Sequence, residues 1–293
     1  MSQKRSSMRQ GPLSELFRKT EEEAATAEAP ATPEELVPEE SGPPSPRTTG
    51  SYVAVIRVVG VGGAGCNAVN RMVDAGVRGV EFVAINTDRQ ALDASEAEVL
   101  IAAGMDLTKG RGTGGDLALG EAAVRESEEQ IRHALRGSDL VFVTAGEGGG
   151  TGTGGAPVVA RIAREMGALT VAVVTKPFGF EGARRNRAAE AGIEAVKEAA
   201  DTTIVIPNDR LMNVLDRGTG MVQAFGVCDD LLRQGVQGIT DLITLPGLIN
   251  LDFADIRTTI SDAGTALLGI GYAEGETRAL DAAERAIESP LLE

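Results

Sequence analysis

From Tyr52 onwards the chain alternates short apolar runs with longer amphipathic stretches. The runs are rich in Val and Ile and continuously apolar, which is typical of strands buried on both faces. They are VAVIRVVG (53–60), VEFVAIN (80–86), DLVFVTAG (139–146), ALTVAVVT (168–175) and TTIVIP (202–207). The predicted helices between them are Asn67–Asp74, Asp116–Leu135, Pro157–Met166 and Glu181–Ala199. This order predicts an α/β fold, a doubly wound parallel sheet with helices on both faces.

A second pattern follows the last of these strands. A helix-like stretch runs from Gly220 to about Leu242, and the loop LPGLINLD (245–252) comes next. A short strand, TALLGIGYA (265–273), and an amphipathic helix, Glu276–Ile287, are predicted after that loop. We therefore divide the chain into an α/β domain (51–219), a central helix with its loop (220–250) and the start of a second α/β domain (251–293). The last part is too small to bury a core alone, so we expect a fragment or a truncated product.

Residues 1–50 differ in composition from the rest of the chain. They contain seven of the twelve prolines, a Glu run at 21–23 and few large apolar residues. Such a segment buries too little apolar surface to offset its ordering entropy, which predicts a disordered tail. A partner-binding peptide around Leu13–Arg18 is the alternative interpretation.

Charge and cysteine content exclude several classes of function. The net charge of −15 and the pI of about 4.7 argue against a nucleic-acid-binding surface, which needs basic residues. Two cysteines and one histidine exclude a disulfide framework and a Cys/His zinc site, and they fit a reducing cytoplasm. The sequence has no apolar run of about 18 residues and no apolar core of a signal peptide near its start.

Two glycine-rich segments each follow a predicted strand and precede a predicted helix. The first, GVGGAG (60–65), matches the dinucleotide fingerprint GxGxxG, with Asp88 about 20 residues further on. Alone it is a weak signal, because a tight turn that binds nothing also uses glycine. The second, GEGGGTGTGG (146–155), has seven glycines in ten residues, and Thr151 and Thr153 add hydroxyl donors. Two such segments side by side predict a cradle for a chain of phosphates, and the P-loop motif GxxxxGK[ST] is absent.

The motifs together resemble the tubulin/FtsZ family of GTPases. GVGGAGCNAVNRM, FVAINTD, GGGTGTGG, PFGFEG, IPNDRL, GVQGITDLI and PGLINLDFADI are similar to its cell-division branch in the same order, over about residues 52–293. AGEGGGTGTGGAPVVA is most similar to the actinobacterial form. The resemblance implies binding of GTP or GDP with Mg²⁺ and a GTPase activity. It also implies head-to-tail filaments in the cytoplasm, at the bacterial division site. Other division proteins are then expected as partners, and contact with the membrane is expected only through them.

The resemblance also implies which residues bind the nucleotide. Glu181 meets the ribose and Arg185 lies beside the nucleotide; an ordinary i,i+4 salt bridge is the alternative for this pair. Phe225 and Asp229 have the same i,i+4 spacing. The resemblance implies that one of them stacks on the base and that the other accepts hydrogen bonds from the two adjacent donors of guanine. The glycine-rich contacts are Gly62, Gly63, Ala64, Gly65, Cys66, Asn67, Gly149, Gly150, Thr151, Gly152 and Thr153. We expect Gly150→Val to weaken binding and leave the fold intact.

The candidates for catalysis lie elsewhere in the sequence. In the family, the stretch containing Asn250, Asp252 and Asp255 inserts into the pocket of the next subunit, where the two carboxylates polarise the attacking water and the amide sits near the γ-phosphate or metal. Capping of the following helix by Asp252 is the alternative. His133, between Arg132 and Arg136, is predicted to be a surface residue. No metal ligand set formed by protein side chains is predicted.

Three features depart from the family pattern and leave other functions open. The chain stops early in the second domain, and its N-terminal tail is long. Thr113 and Gly115 stand where alanines are usual, in a loop that is expected to reach the γ-phosphate more loosely. The acidic charge opposes a nucleotide, so tight binding is expected to need Mg²⁺ and local donors. Two alternatives remain beside a self-assembling GTPase: a nucleotide-binding protein without turnover, and a nicotinamide-dependent oxidoreductase using GVGGAG and Asp88.

Overall fold

The computed structural model describes residues 54–212, 218–244 and 252–289. The predicted disordered tail (1–50) and the predicted site residue Asn250 lie outside the described residues. Residues Tyr52–Glu293 group into one compact unit.

A seven-stranded parallel sheet forms the centre of this unit, in the order β3-β2-β1-β4-β5-β6-β7. The strands are β1 (Ile56–Val61), β2 (Glu81–Asn86), β3 (Val99–Ala102), β4 (Leu140–Gly146), β5 (Leu169–Lys176), β6 (Thr202–Pro207) and β7 (Gly264–Ala266). The predicted doubly wound α/β fold is therefore confirmed.

Helices cover both faces of the sheet. They are α1 (Gly62–Asp74), α2 (Arg89–Asp93), α3 (Met105–Thr108), α4 (Leu117–Glu126), α5 (Glu128–Ala134), α6 (Thr151–Glu165), α7 (Ala183–Ala199), α8 (Asn208–Leu211), α9 (Met221–Thr244), α10 (Phe253–Ile260) and α11 (Arg278–Ile287), with a 3-10 turn at Gly179–Glu181. One core packs under α1 and α9 around Met72, Phe142 and Leu232. The other packs under α6 and α7 around Val143 and Val159.

Several predicted element bounds are wrong. The helix predicted at 116–135 is two helices that meet at Ser127, and the strand predicted at 265–273 covers only Gly264–Ala266. The four-residue β3 was not predicted, because VLIA is too short a run to show a period. α6 begins six residues before Pro157, at Thr151, since glycine's low helix propensity hid its first turn. Half of the second glycine segment is therefore helix.

The strand order brings the glycine segments together. After β1 the chain moves to β2 on one side of the sheet, whereas β4 lies on the other side of β1. The carboxyl ends of β1 and β4 thus flank the topological switch point, where ligands bind in open α/β sheets. α1 follows β1 directly at Gly62, and Glu147–Gly150 joins β4 to α6. The fold therefore places the two segments side by side at this edge of the sheet, where a ligand crevice is expected in this class of fold.

The described part of the C-terminal segment attaches to the sheet at the amino ends of its strands, opposite the carboxyl ends that carry the glycine segments. β7 pairs with the start of β6, and the Thr202 hydroxyl donates to the Ile260 carbonyl at 2.6 Å. The Arg164 guanidinium, near the end of α6, pairs with Asp201 at 3.1 Å and with Asp262 at 2.5 Å. These contacts fix the last turn of α10 at the amino ends of the strands, away from the glycine segments.

Candidate functional site

The two glycine segments pack directly against each other. A Cβ added to Gly62, whose φ is +71°, would lie 2.7 Å from the Gly152 nitrogen. A Cβ on Gly152 would lie 2.8 Å from the Gly146 carbonyl oxygen, and one on Gly65 would lie 2.4 Å from the Thr144 carbonyl oxygen. Real Cβ atoms do not approach backbone so closely, so these glycines are needed to bring α1, α6 and the strand ends into contact.

Two other glycines have open space where a side chain would be. A Cβ added to Gly63 or Gly149 would meet no heavy atom within 4 Å, and neither residue has φ in the left-handed region. Both lie at the crevice, Gly63 in the first turn of α1 and Gly149 just before α6. Backbone at these positions is accessible to a ligand, which is what phosphate binding at a helix N-terminus requires.

Gly150 differs from its neighbour Gly149. A Cβ there would lie 2.1 Å from the Thr113 hydroxyl oxygen and 2.7 Å from the Asp116 carbonyl oxygen. The expectation that Gly150→Val leaves the fold intact is therefore wrong, because the added side chain collides with the 113–116 loop. Thr113 is 9% exposed and packs closely there, whereas the looser reach of this loop to the γ-phosphate stays a prediction.

The remaining predicted contacts of the glycine segments vary in accessibility. Asn67 is exposed and Ala64 is half-buried, whereas Cys66 is buried with its thiol near the Gly60 and Ile85 carbonyl oxygens. Burial raises the pKa of the Cys66 thiol to about 12, so it stays protonated.

Both threonines of the second segment are buried. The Thr151 hydroxyl lies 2.6 Å from the Thr87 hydroxyl, and the Thr153 hydroxyl accepts from the Gly148 N–H at 2.8 Å. Thr153 therefore holds the loop from inside. A role for either hydroxyl as a phosphate donor stays a prediction.

A cavity of about 540 Å³ opens beside the second segment. It is lined by Gly114, Gly115, Asp116, Leu117, Gly148, Gly149, Gly150, Arg184, Arg185 and Ala188. The cavity is thus bordered by the backbone of two loops, by the first turns of α4 and α7, and by two guanidinium groups.

Glu147 is a buried carboxyl group behind this loop. It is 4% exposed, and neither carboxyl oxygen has a hydrogen-bond partner within the described part of the chain. Burial raises its pKa to about 8, with the neighbouring Thr153 side chain opposing the rise. At neutral pH the group is therefore mostly protonated, which avoids a buried negative charge beside the second glycine segment.

Aromatic and acidic side chains gather where α9 meets the turn before α7. Phe225 packs edge-on against Phe178, with ring centroids 5.5 Å apart, and Phe178 stacks on the exposed Phe180. Asp229, one turn from Phe225 on α9, pairs with Arg71 of α1 at 3.3 Å. Burial raises the pKa of Asp229 to about 6, and Arg71 opposes that rise, so the carboxylate is ionised at neutral pH.

Glu181 and Arg185 form the expected pair, with Arg185 Nη1 and Glu181 Oε2 2.5 Å apart. The second oxygen of Glu181 accepts from the Phe178 N–H at 2.9 Å. The pKa of the buried Cys228 thiol is raised to about 12, first by burial and then by the charges of Asp229 and Glu181. Both carboxylates therefore lie near the same part of α9. The geometry is compatible with the salt bridge and with ribose binding.

Asn208 is a candidate that the sequence analysis missed. It follows β6 at the carboxyl edge of the sheet, is 4% exposed, and its Oδ1 has no hydrogen-bond partner in the described ranges. A buried amide oxygen without a protein partner is uncommon, and this one is free to accept a hydrogen bond from a ligand or a water molecule. Its position directly after a strand, in IPNDRL, was the available signal.

The predicted catalytic acids lie on α10, apart from the glycine segments. Asp252 and Asp255 are exposed at its start, and Asp252 makes no side-chain capping bond. The capping alternative for Asp252 is therefore wrong for its side chain. Within residues 54–212, 218–244 and 252–289, no hydrogen bond or ion pair joins these carboxylates to the glycine segments.

Three further expectations concern isolated residues and metals. Asp88 caps α2 by accepting from the Ala91 N–H at 3.1 Å, so the ribose acid of the oxidoreductase alternative is already engaged. His133 is exposed, as predicted. Within the described residues no three His, Cys, Asp or Glu side chains group as a metal site, and no helix is long and apolar enough to cross a membrane.

Comparison with known proteins agrees with this geometry. Residues 55–216 match the model of the tubulin/FtsZ family GTPase domain. The chain is 47% identical to an empty FtsZ dimer from M. jannaschii, covering 83% of this chain and 71% of that one with a TM-score of 0.80. It is 26% identical to a GTPγS-bound protofilament of CetZ2 from Haloferax volcanii, covering 78% and 69% with a TM-score of 0.67. The family match spans more than half of the sequence, and the chain therefore belongs to the tubulin/FtsZ family.

Proposed function

We propose that this protein binds GTP and hydrolyses it during self-assembly into filaments, as a cytoskeletal protein of bacterial cell division. The observation that carries the proposal is the crevice at the switch point of the sheet. Gly63 and Gly149 leave open backbone there, at the starts of two helices, while their glycine neighbours are fully packed. Open N–H groups at two helix N-termini suit a chain of phosphates better than any single helix does.

The aromatic and acidic end of the crevice favours a guanine base. Asp229 is ionised above its pKa of about 6 and accepts hydrogen bonds, and Asn208 adds an unpartnered amide oxygen. Guanine presents two adjacent donors, whereas adenine presents an unpaired acceptor to the same carboxylate. A buried polar group left without its partner discriminates strongly between ligands.

Hydrolysis is proposed to occur between two copies of the chain. Asp252 and Asp255 are exposed carboxylates on α10, whose last turn is fixed at the edge of the sheet opposite to the phosphate cradle. In a head-to-tail filament they would enter the next subunit's crevice and polarise water, with Asn250 near the γ-phosphate. The similar structures described as an FtsZ dimer and a CetZ2 protofilament support self-association.

Mg²⁺ is proposed to arrive with the nucleotide. It would neutralise phosphate charge beside Asp116, Arg184 and Arg185, in a protein whose own net charge is −15. An actinobacterial-type protein in the cytoplasm at mid-cell, with other division proteins as partners and only indirect membrane contact, remains part of this proposal.

A nucleotide-binding protein without turnover is the second candidate. α11 has no buried residue, and its Leu280 and Ile287 side chains are 61% and 75% exposed. In this second candidate, so weakly packed a segment does not hold the acids of α10 in place, and binding survives without hydrolysis.

Two measurements test the function. Competition between GTP and ATP should show a preference for GTP of up to about 10⁴-fold, which Asp229→Ala should abolish. Asp230→Ala is the matched control, because Asp230 is the next residue on α9 and its carboxylate is already paired with Arg233 at 2.6 Å. Equal affinity for the two nucleotides would refute guanine recognition.

Turnover should then depend on protein concentration. Asp255→Ala should lose hydrolysis and keep GTP affinity, Thr151→Ala should lose affinity, and a mixture of the two should recover some activity. A rate per molecule that is constant on dilution and unchanged in Asp255→Ala would refute the shared site. GTP binding with no hydrolysis at any concentration would select the second candidate.

A further inference from the structure

The cavity beside the second glycine segment has two arginines, and their electrostatic situations differ. Arg185 is paired with Glu181 at 2.5 Å, and the Glu181 side chain is only 8% exposed, so its negative charge is fixed beside the guanidinium. Arg184 is the second residue of α7, is exposed, and has no ion-pair partner in the described part of the chain. Arg184 is therefore the uncompensated cation of this cavity.

The rest of the lining shows which part of a ligand Arg184 would face. The floor is Gly148–Gly150, whose backbone precedes α6, and the opposite wall is Gly114, Gly115 and Asp116. Gly114 and Gly115 have φ of +61° and +83°, and an added Cβ at either would meet nothing within 4 Å. The 113–116 loop thus packs against Gly150 through Thr113 and Asp116, and it leaves open backbone at its two glycines.

The base end of the crevice lies elsewhere. Phe225 and Asp229 are on α9, which packs against α1 and β5, whereas the 113–116 loop packs against the start of α6. A nucleotide with its base at α9 and its first phosphates at Gly63 and Gly149 would direct its last phosphate towards the 113–116 loop. A triphosphate has one phosphate more than a diphosphate, and in this orientation it adds its extra charge at that end.

We propose that Arg184 is a specificity-determining residue that contacts the terminal phosphate and makes the site prefer a nucleoside triphosphate to the diphosphate. This inference rests on the proposed GTP binding. Asp116 on the facing wall already accepts from the Leu119 N–H at 3.1 Å as the cap of α4, so part of its charge is satisfied there. An anion between the two walls gains the Arg184 charge together with the N-terminal end of α7.

The test compares GTPγS and GDP, each with Mg²⁺, by titration calorimetry on the full chain. Arg184→Ala should weaken GTPγS binding about threefold to fivefold and GDP binding less than about twofold, as expected for one partly solvated charge pair with phosphate. Arg184→Lys should keep part of the preference, because it retains the charge without the planar fork. Arg187→Ala is the control: Arg187 is exposed on the same helix, and its Nε donates to the Ala183 carbonyl at 3.3 Å.

Each result decides between the possibilities. Equal losses for GTPγS and GDP, or losses as large in Arg187→Ala, would overturn the proposal in favour of a general charge effect. Unchanged GTPγS affinity in Arg184→Ala, with normal binding by the unmodified chain, would overturn this inference alone. Failure of the unmodified chain to bind GTPγS would overturn the proposed function itself.

Discussion

Adjacent glycines in the second segment should respond in opposite ways to the same substitution. Gly149→Ala adds a methyl group where no heavy atom lies within 4 Å and where φ is outside the left-handed region. Such a change restricts the unfolded chain and stabilises by about 0.4–1 kcal/mol. We expect the melting temperature to stay the same or to rise by about 1–4 °C, since about 1 kcal/mol corresponds to 2–4 °C for a domain of this size.

Gly150→Ala should destabilise instead. Its added Cβ would lie 2.1 Å from the Thr113 hydroxyl oxygen and 2.7 and 2.9 Å from the Asp116 carbonyl oxygen and nitrogen. The hydroxyl can rotate away but the backbone atoms cannot, so the 113–116 loop must shift. Overpacking of this kind costs about 1–3 kcal/mol, which lowers the melting temperature by about 2–12 °C.

Binding separates the pair further. If phosphate approaches the open backbone at Gly149, the new methyl group collides with ligand rather than with protein. An overpacking penalty of about 1–3 kcal/mol on the complex corresponds to a loss of affinity of roughly 5-fold to 150-fold. Thermal unfolding by circular dichroism and calorimetric titration with GTPγS and Mg²⁺ measure the two effects. A Gly149→Ala protein that binds normally, or a Gly150→Ala protein as stable as the parent, would refute this reading of the loop.

Three further predictions follow from the same site. Gly63→Ala should reproduce the Gly149→Ala result, retained stability with weakened GTPγS binding, because its added Cβ is equally unobstructed; normal binding would remove Gly63 from the cradle. GTPγS affinity should fall about tenfold per pH unit below pH 6, where Asp229 takes up a proton and stops accepting from guanine, and Asp229→Asn should abolish this dependence. Burial raises the pKa of Glu147 from 4.5 to about 8, so between these pH values the folded state keeps a proton that the unfolded state releases. The free energy of unfolding therefore falls as pH rises from about 4.5 to 8, by up to about 1.4 kcal/mol per pH unit. Glu147→Met should flatten that slope in urea unfolding between pH 5 and 8, and an unchanged slope would show that Glu147 is not its source.

The sheet and its order of strands and helices could be predicted because buried parallel strands leave continuous apolar runs. β4 shows this well, since Leu140 to Ala145 are all buried. β3 has only the four-residue run VLIA, half of it exposed, and Ser127 divided one predicted helix without any glycine or proline to mark the break. The pairing of β7 with β6 joins residues more than 55 positions apart, and no local pattern encodes it.

The site could be predicted in outline, since the ends of β1 and β4 are visible in the sequence and the motifs carried the rest. Partners of individual side chains could not be predicted, because they depend on elements distant in sequence. Arg71 meets Asp229 across 158 positions, and Thr87 meets Thr151 across 64. Burial of Glu147 under α7 is of the same kind: Gly192 makes room for it, with an added Cβ there lying 2.3 Å from its carboxyl oxygen.

Glycine in this family of loops has two functions that the sequence does not separate. Gly152 and Gly65 permit backbone to pack on backbone, and they would be needed in a protein that bound nothing. A Cβ added at Gly149 or Gly63 would meet no other part of the described protein, so packing does not require glycine there. A requirement for glycine at these two positions must come from something outside the folded chain. The density of glycines therefore indicates close packing first, and only the unobstructed members of the set are evidence for a ligand.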